Sequence, residues 1–125
     1  MIRGKPLREC LPSKEREEYV SHIRMQGYTT VAERQVNRYT DEFLRFCSSH
    51  SRHANAQNIS AKDLLSYAKH LERTSKTFVT ARTKMSIVLQ WCRWLTETGR
   101  MKKNPAENLK ASQLVAALDS RSPRP

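Results

Sequence analysis

Glycine is scarce in this chain, three in 125 residues, and each stands alone, so no glycine-rich loop that could cradle a phosphate is present. The GxSxG elbow and the HExxH zinc motif are missing as well, which removes two common hydrolase signatures. No apolar run approaches the ~20 residues that span a bilayer, and the opening MIRGKPLREC lacks the apolar centre of a signal peptide. A soluble, cytoplasmic protein with no membrane partner is the expectation. The cysteines, Cys10, Cys47 and Cys92, are odd in number and far apart. His22, His50, His53 and His70 share no ligand spacing, so neither a metal nor any other cofactor is expected. Apolar residues nowhere alternate with period two, and no internal repeat is visible, so strands and solenoids are not expected.

What the chain has in abundance is positive charge. Twenty-three Lys and Arg face twelve Asp and Glu, a net +11 with a pI near 10.1. Such an excess favours a polyanionic partner, nucleic acid before a membrane surface. Residues 76–103 hold seven of the bases against one acid, Glu97. More than half of the net charge is therefore concentrated there. The length fits one domain with a single core, and 38% hydrophobic residues are enough to fold it.

Helical periodicity organises nearly everything else. In residues 75–99, Phe78, Ala81, Met85, Val88, Leu89, Cys92 and Leu95 fall on one face, with a second ridge at Ile87, Trp91 and Trp94 that predicts neighbours on more than one side. Ser75 or Thr77 can cap the start, and Gly99 suits the left-handed closing residue. Before it, Ser13 opens a helix over 14–26 that ends at Gly27. Thr30 with Glu33 reads as a capping box for a helix to about Ser49, and Ser60 with Asp63 as another for a helix to about Arg73. The polar stretch 51–58 reads as a loop. Leu109, Leu114, Val115 and Leu118 suggest a last short helix, and the tail from Asp119 reads as linker. The expected fold is all-α, a compact four- to five-helix bundle, with a loose basic arm at 1–12. Cys47 and Cys92 belong in its core, and Cys10 outside it.

Two helices carry polar stripes. On the helix of residues 75–99, Arg82, Ser86, Gln90 and Arg93 are spaced four, four and three apart and stack along one flank. On the second helix Arg34, Arg38, Asp41 and Arg45, spaced four, three and four apart, lie opposite Tyr39 and Phe43. Each stripe alone reads more readily as a solvated surface, on the second helix one laced with ion pairs; the surrounding charge is what points to a binding face.

Three segments together resemble the core-binding domain of the tyrosine recombinases, the phage-integrase family. Residues 27–47, GYTTVAERQVNRYTDEFLRFC, are similar to that family's opening, residues 58–71, NISAKDLLSYAKHL, to its middle, and residues 80–109, TARTKMSIVLQWCRWLTETGRMKKNPAENL, to its closing W-L…G…N-P-A pattern. Met85 stands where the family usually has Leu, a volume-conserving exchange. The resemblance covers roughly 13–110. It implies a SAM-like bundle that clamps double-stranded DNA with its second and fourth helices. Carried over by position, Arg34, Gln35, Arg38, Arg82, Thr83, Ser86 and Gln90 fall near the DNA-facing places, and Arg93 continues the stripe.

The family cuts DNA with a tyrosine in a separate C-terminal domain, aided by an H-x-x-R pair among others. His70-Leu-Glu-Arg73 has that form but sits in the third helix of the binding domain, and twenty residues after Pro105 are too few for a second domain. No catalysis is expected in this chain, and Tyr19, Tyr28, Tyr39 and Tyr67 are read as core or rim aromatics. The implied partners are duplex DNA, the catalytic domain of the same parent protein and other recombinase protomers, with the protein on the nucleoid when bound. The competing reading is a helical protein-interaction module with a basic surface, anchored by Trp91 and Trp94.

Overall fold

The computed structural model describes residues 13–50 and 55–109. Four α-helices follow one another: α1 (Lys14–Met25), α2 (Thr30–His50), α3 (Ala61–Thr74) and α4 (Phe78–Glu97), with short 3-10 turns at Ala56–Asn58 and Pro105–Asn108. No strand occurs among the described residues. The expected arm at 1–12, the exposure of Cys10, and the last helix and linker beyond Leu109 lie outside them.

Local chemistry sets the helix ends. The Ser13 hydroxyl accepts from the Arg16 amide at 3.2 Å and opens α1. Ser60 and Asp63 form the full reciprocal box at the head of α3, each side chain accepting from the other's amide at 3.1 Å. Thr77 rather than Ser75 caps α4, accepting from the Thr80 amide at 3.1 Å, while Ser75 closes α3 and is buried. The box expected at Thr30 and Glu33 is corrected. Thr29 caps α2 by accepting from the Ala32 amide at 3.0 Å, and the Glu33 carboxylate instead holds Arg24 at 2.6 Å. Gly27 at φ 85° and Gly99 at φ 79° adopt the left-handed conformation that turns the chain out of α1 and α4. Replacing Ser60 with alanine removes one partner of the α3 box and is expected to cost about 1 kcal/mol in a urea melt.

α4 packs against all three other helices and against the second 3-10 turn. Both of its apolar ridges are consequently covered, which is why Trp91 is as buried as Met85, Val88 and Cys92. From α2 come Phe43, Leu44 and Cys47, and from α3 Leu64, Tyr67 and Ala68, all essentially without solvent contact. Phe43 meets Tyr67 edge to face, with ring centroids 4.9 Å apart. The stretch read as a polar loop also supplies core: Ala56 is buried, as is Ile59 directly after it.

Burial pushes the Cys47 and Cys92 thiols up to about 12 each. A thiol so rarely ionised is a poor nucleophile. Peptide mapping after alkylation at mild alkaline pH is therefore expected to find both unmodified in the native protein and both labelled in denaturant.

Candidate nucleic-acid interface

On α2, Arg34, Gln35 and Arg38 are exposed. The lower half of the stripe is different. Asp41, expected on the outer face, is buried, and Arg45 turns back to donate to its carboxylate at 2.9 Å. An ion pair one turn apart has drawn both residues against the body of the bundle. The outward basic patch of α2 is thus its first half.

On α4, Arg82, Ser86, Gln90 and Arg93 are all exposed, and Thr83 is half-buried. Gln90 donates to the Ser86 hydroxyl at 3.2 Å, so these two are presented as a unit. Arg93 is paired with Glu97 at 3.0 Å, both largely in water, where such a pair contributes little and is readily exchanged for another anion. Arg82 and Arg34 make no ion pair among the described residues.

The two helices are joined by side chains that sequence reasoning did not single out. Lys84 reaches from α4 to the Glu42 carboxylate at 3.0 Å, and the same carboxylate lies 3.9 Å from Arg38. Both cations lie over the Tyr39 ring, Lys84 at 5.2 Å and Arg38 at 5.3 Å from its centroid. Glu42 follows Arg38 by four residues, which was a readable signal; its bond to Lys84 crosses between helices and was not. At about 100° per residue, Lys84 and Arg82 lie on opposite sides of α4. Arg82 therefore looks away from this junction, and no hydrogen bond or ion pair among the described residues ties the α4 stripe directly to Arg34 or Gln35.

Packing takes some of the charge in residues 76–103 out of play. Arg100 donates to Glu18 at 2.7 Å and lies 4.4 Å over the Trp94 ring, strapping the end of α4 to α1. That hydrogen bond holds the Glu18 carboxyl below its ordinary range. Lys76, Arg82, Lys102 and Lys103 remain exposed.

Neither tryptophan is exposed. Trp91 is fully buried, and Trp94 is covered by Tyr19 at 5.1 Å, His22 at 5.5 Å and Arg100. The large exposed apolar side chains are instead Met25, Tyr28 and Val31 around the α1–α2 turn, and Val79 on α4. Tyr19 and Tyr67 are buried, and burial raises both phenols, the opposite of what a nucleophile needs. His70 is half-buried against Phe46 and Tyr67, while Arg73 is exposed. No helix among the described residues is long and apolar enough to cross a membrane. No group of three or more potential metal ligands occurs among them either.

Compared with protein-family models, with curated proteins and with solved structures, the chain matches none.

Proposed function

We propose that this bundle binds double-stranded DNA, as the clamping, core-binding part of a site-specific recombinase of the tyrosine integrase type. The observation that carries the reading is the pair of exposed basic faces, Arg34, Gln35 and Arg38 on α2 and Arg82, Ser86, Gln90 and Arg93 on α4. The Lys84–Glu42 bond fixes those helices relative to each other. Arginine and lysine on such faces supply affinity through phosphates, and the paired Ser86 and Gln90 are suited to base edges. Thr83, half-buried beside them, has a supporting place. Strand cleavage is assigned to a catalytic domain of the same parent protein acting with further protomers, and no group described here has a catalytic part.

Fluorescence anisotropy with a labelled duplex tests the faces. Charge reversal at Arg34 and Arg82 is expected to abolish binding, whereas reversal at Lys62 and Lys69 on α3 weakens it only slightly. The opposite ranking would make α3 the binding surface and remove the orientation proposed here. An interaction module built on Met25, Tyr28 and Val31 is the competing reading, and its binding would change little with salt.

A further inference from the structure

Between α2, α3 and the start of α4 lies an open cleft of about 320 Å³ that the DNA-binding faces do not use. Glu42, Arg45, His50, Tyr67, His70 and Lys84 contribute its polar lining. Tyr67 is 1% exposed, and its hydroxyl has no hydrogen-bond partner among the described residues. A buried hydroxyl without a partner is costly in a native core unless something that enters the cleft satisfies it. Lys84 also lines the cleft. One of its three ammonium protons serves Glu42 at 3.0 Å, leaving donors over. The aromatic rings of His50, Phe46 and His70 are packed in sequence, with centroids 4.1 Å and 4.9 Å apart, so both imidazoles are held in place at the rim.

From this arrangement we infer that the cleft binds a phosphate group, with the Tyr67 hydroxyl and the Lys84 ammonium donating to its oxygens and His70 as a third, titratable donor. Arg45 and Lys84 each face a carboxylate, Asp41 at 2.9 Å and Glu42 at 3.0 Å, so these charges balance and hydrogen-bond donors rather than net charge hold the anion. Burial, then Arg73, His50 and Lys84, hold the His70 imidazole below its ordinary pKa, with Glu42 opposing them. A bound phosphate dianion would reverse that sign by giving the imidazolium a counter-charge. The inference stands on the cleft's own chemistry; the DNA reading bears only on whether the phosphate belongs to a nucleic-acid backbone or is free.

The test is a proton NMR titration of the His70 ring with inorganic phosphate, with chloride at matched ionic strength as the control. Phosphate is expected to raise the His70 titration midpoint in a saturable way that chloride does not reproduce. Tyr67→Phe should weaken phosphate binding about tenfold or more, the worth of one hydrogen bond to a charged group. Its melting temperature should stay level or rise, because the change removes a hydroxyl that has no partner among the described residues. A Tyr67→Phe protein that binds phosphate as the parent does would overturn the inference, as would equal responses to phosphate and chloride. In a second arm a short duplex replaces inorganic phosphate. If it moves His70 in the same direction, the phosphate is a backbone one. If it binds and leaves His70 still while inorganic phosphate moves it, the cleft takes free phosphate. A duplex that fails to bind at all defeats the DNA reading and leaves the cleft assignment standing.

Discussion

Phe43→Ala is expected to destabilise the bundle by about 3–5 kcal/mol, read from the urea midpoint at constant m-value. The ring has no solvent exposure and packs edge to face on Tyr67. Its removal loses the transfer energy of the ring and leaves a void between α2 and α3 that rigid neighbours cannot fill. Because native domains hold only about 5–15 kcal/mol in total, this variant should melt far below the parent. A loss under about 1 kcal/mol would mean that α2 is not seated as described.

The second large effect concerns binding and leaves the fold alone. Replacing Arg34, Arg38 and Arg82 together by alanine is expected to lower duplex affinity on the order of a hundredfold or more at low salt, since each lost phosphate contact forfeits its counterion release. All three side chains are exposed, so each change should move stability by no more than about 0.5 kcal/mol. Arg38 shares Glu42 with Lys84, and the closer Lys84 bond survives its removal. Circular dichroism melts and anisotropy on the same samples separate the two quantities. Unchanged affinity with an unchanged melt would remove α2 and the outer face of α4 from the interface.

Much of this architecture was legible because helical periodicity and capping are local. The spacing of Met85, Val88 and Cys92 marked the inner face of α4, and Ser60 with Asp63 marked the start of α3, three residues and two being enough to specify them. Where the structure departs from expectation, the deciding interaction is between elements or between near-equivalent neighbours. Thr29 and Thr30 carry the same hydroxyl, and the choice fell to Thr29 while Arg24, nine residues before Glu33, took the Glu33 carboxylate. Asp41 lay on the outer arc of its helix, yet its pairing with Arg45 accompanies burial. The ridge of Ile87, Trp91 and Trp94 pointed to neighbours on more than one side of α4, but a helical wheel does not show that those neighbours leave neither tryptophan exposed. Of the polar residues, the exposed arginines were readable from spacing, but the Lys84–Glu42 bond and the Tyr67 cleft exist only once α2, α3 and α4 are assembled.

Salt dependence of duplex binding tests the central claim most directly. With about five phosphates neutralised, the logarithm of the association constant should fall against the logarithm of salt concentration with a slope near −4.5, roughly 0.9 per contact. The triple arginine variant should flatten it to about −1.8, the slope left by about two contacts. A parent slope near zero, or no binding to duplex DNA at low salt and micromolar protein, would contradict the account.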